Sequence, residues 1–289
     1  MNMEAQNLSS HSPSIGAILI DSGRLEPAAA EQILRLQQNK PGLRFGDAAM
    51  QLGLLDEQDI QFALSRQFVY SYLQASDDRI SQEVVAAFNP FSHIVEQLRA
   101  LRSQLLLRWF DAQIGRKALS VVSANHGEGR SFVAANLAVV FSQLGERTLI
   151  VDADLRAPRQ HELFKRANKF GFSTVLADRI PWREAVRRIE GLQGLFLMTA
   201  GAIPPNPQEL LSRPRFAGLM EELKEHYDIV IFDTPPGASV SDAQPISAQA
   251  GGALVVASQH KTAVGGLKSL VANLKQNGVA IAGSLLNKT

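Results

Sequence analysis

Leu119-Ser120-Val121-Val122-Ser123 runs directly into Ala124-Asn125-His126-Gly127-Glu128-Gly129-Arg130-Ser131 and then into the helical pattern Phe132 to Leu144. A strand, a glycine-bearing turn and a helix in that order make the frame of a P-loop, with Ala124 at the first glycine position and Arg130 where lysine is usual. Glycines let backbone N–H groups curl around a polyphosphate, the helix N-terminus adds partial positive charge, and Ser131 can offer a hydroxyl to Mg²⁺. Taken alone, such a turn fits tight packing equally well. Two acidic strand ends decide between the readings. Thr148 to Val151 delivers Asp152-Ala153-Asp154-Leu155-Arg156, and carboxylates at i and i+2 of an extended segment project to the same side, able to hold a metal and accept a proton. Ile229 to Phe232 ends in Asp233-Thr234-Pro235-Pro236, the apolar strand followed by an acid of a Walker B element. Together the three segments predict a site for ATP and Mg²⁺.

Around this site, apolar runs alternate with helical patterns. The strand candidates are Leu119–Ser123, Thr148–Val151, Leu195–Thr199, Ile229–Phe232, Leu254–Ala257 and Ile281–Leu286. Apolar strands spaced by crossover helices argue for a mostly parallel sheet covered on both faces, a doubly wound α/β fold of the P-loop NTPase kind. At 289 residues the chain has room for a second, smaller part. Its 29 basic against 28 acidic residues offer no bulk attraction for nucleic acid. The absence of cysteine excludes disulfides, thiolate catalysis and a cysteine-based zinc site. No secretory signal is visible in Met1 to Ser14, and the most apolar stretch, Phe132 to Phe141, is about half of a spanning helix, so a cytoplasmic or peripheral protein is expected.

Residues 1–12 are expected to be a disordered N-terminus. The region that follows repeats at an offset of 30, pairing Gly16 with Gly46, Gly23 with Gly53, Leu25 with Leu55, Leu34 with Leu64 and Gln37 with Gln67. Each unit holds a short apolar segment closed by glycine and a second helix, beginning at Glu26-Pro27 and at Asp56-Glu57. Residues 13–73 therefore read as a duplicated, all-helical module. The polar stretch 74–91 reads as a linker, and 92–289 as the P-loop domain. Glu96, Arg99 and Arg102 form Glu-x-x-Arg-x-x-Arg along one flank of a helix, with Ile94, Leu98, Leu101 and Leu105 on the other.

The order P-loop, Asp152-Ala153-Asp154-Leu155-Arg156, Pro158, His161, Phe164, then Gly201 to Leu211 (Gly-Ala-Ile-Pro-Pro-Asn-Pro-Gln-Glu-Leu-Leu), then Asp233-Thr234-Pro235-Pro236 closely resembles the bacterial tyrosine kinases of polysaccharide export, the Wzc/CapB type. Within them it looks most like the chain-length-determinant kinases of the EpsG kind. The resemblance implies ATP-dependent phosphorylation of protein tyrosine, coupled to exopolysaccharide synthesis, chain length and export. It places nucleotide contacts at Gly127, Glu128, Gly129, Arg130, Ser131, Phe132 and, near adenine, Asn287. It assigns the metal to Ser131, Asp152 and Asp233, and catalysis to Arg130, Asp152 and Asp154. It also implies a ring-like homo-oligomer closed by Glu96, Arg99 and Arg102, and a membrane-bound Wzz-like chain-length determinant that would hold the kinase at the inner face of the plasma membrane. Two features depart from the family pattern. Guanidinium at position 130 is wider than ammonium and prefers two-point contacts, and in place of a terminal tyrosine cluster the chain has only Tyr70, Tyr72 and Tyr227. The same acids also fit an ATPase switch of the MinD/ParA type, acting through oligomer state without modifying tyrosine. The N-terminal repeat resembles the N-terminal module of type II secretion ATPases, which implies either cyclic-di-GMP binding or protein docking through Arg44, Gly46, Gly53 and Gln67.

Overall fold

The computed structural model describes residues 14–67, 72–74, 76–237 and 241–288. Residues 1–12 and Tyr70 lie outside them. The chain divides into two compact units, residues 1–71 and 72–289.

In the first unit each repeat supplies two helices, α1 (Ile15–Asp21) and α2 (Pro27–Asn39) from the first and α3 (Phe45–Gln51) and α4 (Glu57–Gln67) from the second, and they pack chiefly across the repeats, α1 on α4 and α2 on α3. The short helices stop where Gly23 and Gly53 take positive φ, +71° and +67°, a conformation that costs other residues a steric clash. Leu19, Ile33, Ala48, Ala49 and Ala63 form the centre of a separate apolar core. A β-carbon on Gly46 would stand 3.1 Å from Ile60 Cγ2, so its absence lets α3 lie close on α4. Arg24 links the two repeats, pairing with Asp59 at 2.7 Å while its guanidinium lies 4.2 Å over the Phe62 ring.

The second unit comprises α5 (Val85–Phe88), α6 (His93–Arg108), β1 (Ala118–Ser123), α7 (Arg130–Ser142), β2 (Thr148–Asp152), α8 (Gln160–Leu163), α9 (Phe172–Leu176), α10 (Trp182–Ala185), β3 (Val186–Arg188), β4 (Leu195–Met198), α11 (Pro207–Leu211), α12 (Pro214–His226), β5 (Ile229–Asp233), α13 (Ala243–Ala250), β6 (Gly252–Ser258), α14 (Val264–Gln276) and β7 (Ala280–Asn287). Its sheet runs β3-β4-β2-β5-β1-β6-β7, and every pairing is parallel except β3 with β4. From β1 the chain winds first toward β2 and later toward β6, so the strand order reverses beside β1. That reversal opens a crevice at the carboxyl ends of β1, β2 and β5. The six expected strands are all present. The short β3 was not anticipated, because Arg187 and Arg188 are exposed and give no apolar run.

Leu119 and Val121 of β1 enter one apolar layer and Ala118 the other, as alternation on a doubly covered sheet requires. The indole N–H of Trp109 donates to the Ala118 carbonyl at 2.9 Å, and Gly252 is needed because a β-carbon there would collide with that indole. On α7, Val133 to Ser142 are all buried, which explains its apolar composition. Among the described residues no helix is long and apolar enough to cross a membrane.

Residues 74–91, expected to be a linker, are folded into the second unit. Ile80, Val84, Ala86, Ala87 and Phe88 are buried in its main core, as is Leu73 just before them. The buried amide of Asn136 on α7 fastens the stretch: Oδ1 accepts from the Ala86 N–H at 2.8 Å and Nδ2 donates to the Glu83 carbonyl at 3.1 Å. On α6 the buried positions are Val95, Leu98 and Leu105, whereas Ile94, expected on the inner flank, is exposed.

Candidate active site

β1 ends at Ser123, and the loop that follows reaches the first turn of α7 through Gly127 and Gly129, with φ of +72° and +89°. A β-carbon on Gly127 would meet nothing within 4 Å, while one on Gly129 would strike the Asn287 amide. The loop therefore presents bare backbone at Gly127, while the space beside Gly129 is taken by the Asn287 amide. Asn287, at the end of β7, donates from Nδ2 to the Glu128 carbonyl at 3.3 Å, which places it against the loop itself.

Glu128 was expected among the nucleotide contacts, but its side chain is turned inward and 1% exposed. Its carboxylate accepts from the Asn125 N–H at 2.9 Å, the Asn125 amide at 3.1 Å and the Thr262 hydroxyl at 2.6 Å. Burial works against its ionisation, yet these donors outweigh burial and hold its pKa below the ordinary value. Glu128 thus braces the loop, leaving only its backbone to face a phosphate. Phe132 likewise packs its ring on the main core.

Asp152 and Asp233 are register partners on β2 and β5, and neither is exposed. Oδ2 of Asp152 accepts from the N–H groups of Arg159 and Gln160 at 2.9 and 2.8 Å, and Oδ1 from Asp154 N–H at 3.3 Å. Burial, and then the neighbouring Asp233 carboxylate, push the Asp152 pKa well above the ordinary value. Burial also raises Asp233, against the pull of the Arg130 guanidinium, the Gln160 amide and the Ser131 hydroxyl. Asp154 accepts from the N–H groups of Ala157 and Arg156 at 2.9 and 3.1 Å.

Arg130 is 7% exposed and reaches into these acids. Nη1 donates to Ser123 Oγ at 2.7 Å, Nη2 to Asp154 Oδ2 at 3.4 Å, and Nε stands 3.5 Å from Asp233 Oδ1. A planar fork spans three partners where an ammonium would meet one or two. The structure thus brings together Gly127, Gly129, Arg130, Ser131, Asp152, Asp154 and Asp233.

Gln160, which sequence reasoning missed, joins them. Nε2 donates to Asp233 Oδ2 at 2.8 Å and to the Ser131 carbonyl at 3.1 Å. Its setting, Arg159-Gln160-His161-Glu162, reads as an ordinary polar helical turn and carries no signal of this role.

The remaining expected residues lie elsewhere. Arg99 pairs with Glu96 on α6, while Arg102 turns inward and donates to the Val140 carbonyl at 2.7 Å. In the first unit Arg44 precedes α3, Gly46 and Gly53 serve packing and chain reversal, and Gln67 ends α4. The first-repeat counterpart of Gln67, Gln37, braces the Leu43 carbonyl at 2.8 Å. Tyr227 is 7% exposed, set against Trp182 and Phe196, and burial raises its pKa. The Trp182 indole in turn donates to Glu222 at 2.6 Å.

Residues 116–282 match the family described as an AAA domain. The chain is 33% identical over 199 residues to the tyrosine-protein kinase CapB of Staphylococcus aureus, covering 69% of this chain and 86% of that one. It is 41% identical over 184 residues to the tyrosine-protein kinase YwqD of Bacillus subtilis, covering 64% and 76%. With the tyrosine-protein kinase Etk of Escherichia coli it shares 36% over 203 residues, 70% of this chain and 28% of that longer one. Among solved structures, the chimerical protein CapA2B2 superimposes with a TM-score of 0.68 at 31% identity, covering 78% of this chain and 97% of that one. The Escherichia coli ETK kinase domain gives 0.68 at 33%, covering 75% and 83%. The septum-site protein MinD of Pyrococcus horikoshii with Mg-ADP gives 0.52 at 23%, covering 59% and 69%, a likeness of fold alone.

Proposed function

The chain belongs to the bacterial tyrosine-protein kinases of the CapB and Etk type, and from that premise we propose that it transfers the γ-phosphoryl group of ATP to protein tyrosine in the control of exopolysaccharide production. What supports this reading is the meeting of Arg130 with Asp154 and Asp233 directly behind the P-loop, in a chain whose curated relatives are named tyrosine-protein kinases.

The residues fit a magnesium nucleotide. The left-handed turns at Gly127 and Gly129 would let the loop curl around the phosphates, and the N–H groups of Gly129, Arg130, Ser131 and Phe132 at the start of α7 would hold them. Ser131 would ligate Mg²⁺, with Asp152 and Asp233 behind it. Among the described residues no group of three or more histidines, cysteines or acids could hold a metal by itself. When bound, Mg-ATP supplies the phosphoryl group and the divalent charge that offsets its oxygens.

Arg130 would orient the phosphates from inside the loop, its fork anchored on Ser123 and Asp154. Asp152 is the group suited to take the tyrosine proton. Its Oδ2 is engaged by two N–H bonds, whereas Oδ1 has only the 3.3 Å contact with the Asp154 N–H and is the freer oxygen to accept a proton. Tyr227 is too buried to serve as acceptor, which leaves Tyr70, Tyr72 or a tyrosine on another protein.

The same reading includes a Wzz-like membrane partner that would keep this cytoplasmic kinase at the membrane, and a homo-oligomer formed through Glu96 and Arg99 with Arg102 as an internal support. The first unit would dock a protein or bind cyclic-di-GMP around Arg44 and Gln67, and Asn287 would approach the adenine from its seat on the loop.

Incubation with γ-labelled ATP and Mg²⁺, with and without a candidate membrane partner, tests the central claim. Labelled phosphotyrosine on either protein is the expected result. Hydrolysis with no labelled tyrosine would sink the kinase reading and leave the MinD/ParA type of switch.

A further inference from the structure

Gln160 belongs to none of the motifs that define the site, yet it touches all three. Its backbone N–H donates to Asp152 Oδ2 at 2.8 Å, and its Nε2 donates to Asp233 Oδ2 at 2.8 Å and to the Ser131 carbonyl at 3.1 Å. The orientation of the amide follows from these partners. Both neighbours of Nε2 are acceptors, so the reverse orientation would set oxygen against oxygen twice.

That orientation leaves Oε1 buried in a residue of 0% exposure, with no donor among the described residues. An unsatisfied buried carbonyl costs about 1–3 kcal/mol. A methionine or leucine of similar volume would avoid that cost, so packing alone does not account for an amide here. Arg130 Nε, facing Asp233 Oδ1 at 3.5 Å, is likewise buried without a hydrogen bond. Asp233 Oδ1 is buried without a hydrogen bond as well, while its Oδ2 takes the Gln160 amide.

We propose that Gln160 is a positioning residue for the magnesium nucleotide. Nε2 fixes the Asp233 carboxylate beside Ser131, and Oε1 accepts a hydrogen bond from a water molecule carried by the divalent cation. This rests on the nucleotide reading above and adds a residue to it. A structural tie would need only the donor side of the amide. A positioning role uses the acceptor as well, and so couples Gln160 to the metal rather than to the loop alone.

The test is a titration of the full-length chain with a fluorescent ADP analogue at increasing Mg²⁺ and in excess chelator. In Gln160→Met, the Mg²⁺ midpoint for tight binding should rise about tenfold, as loss of an outer-shell partner does at metal sites, while affinity in chelator stays that of the native chain. Gln160→Asn, which withdraws both amide functions by one methylene, carries the same expectation should the methionine variant fail to fold. Equal losses with and without Mg²⁺ at an unchanged midpoint would make Gln160 a structural tie and overturn the proposal. A native chain whose ADP affinity ignores Mg²⁺ would overturn the metal–nucleotide reading and this proposal together. A native response that both variants reproduce would overturn this proposal alone.

Discussion

Asp152 and Asp233 face each other at the same register of neighbouring strands, both out of contact with solvent. Such a pair resists full ionisation, since each negative charge is desolvated beside the other. Asp152 binds its proton more tightly folded than unfolded, so its contribution to stability is complete below its unfolded value of 3.8 and is lost as pH rises through the folded one. Glu128, Asp228 and Glu222 are shifted downward and act in the opposite sense. The stability difference between Asp152→Asn and the native chain isolates the first effect. By urea denaturation, that difference should move in favour of the variant between about pH 4 and about pH 7.5. A difference that does not change with pH would show that the shift is absent. At this scale the motif residues were legible because glycine before a helix and acid after an apolar strand are local patterns. Gln160 was not, since its partners are 29 and 73 positions away.

Among elements, the segment from Leu73 to Phe88 shows where local reading fails. Its polar residues suggested a linker, but they are held in place: Asp77 takes the Arg79 backbone N–H and its guanidinium, while Arg79 and Glu83 reach across the fold to Glu190 and Arg159. Its apolar residues are spaced to meet α7 and the sheet, with no single helical or strand period to reveal them. Two bonds to the segment have very different weight. Asn136 is fully buried and satisfies two backbone groups, so Asn136→Ala should lower stability by about 1–3 kcal/mol in urea unfolding. The Arg159–Glu83 pair is half exposed, and Glu83→Gln should cost less than about 1 kcal/mol. Equal effects from the two variants would contradict the placement of the segment. The parallel strands were readable from composition because burial on both faces demands continuous apolar runs, whereas β3, held only at the sheet edge, makes no such demand.

Over the whole molecule, each unit has its own apolar core, and among the described residues no core cluster combines residues from both. All the residues assigned to ATP, Mg²⁺ and proton transfer fall in the second unit. A fragment of residues 72–289 should therefore fold and bind ADP with the affinity of the full chain, measured by calorimetry. Failure of the fragment to fold would show that the first unit completes it. The division was visible in the sequence through the repeat at an offset of 30, because two copies of one pattern must share a core separate from the α/β region. Its boundary falls earlier than polarity suggested, near residue 71, because the polar stretch belongs to the second core.

Trp109, bonded to the base of β1, and Trp182, bonded to Glu222, are the only tryptophans in the chain, and both are buried in the second unit. Indole emission is therefore an optical channel tuned to the kinase unit, to which the helical repeat is dark. Circular dichroism sums over both. If the two signals melt at different temperatures, the gap measures the independence of the units and is not evidence of an intermediate within the kinase fold.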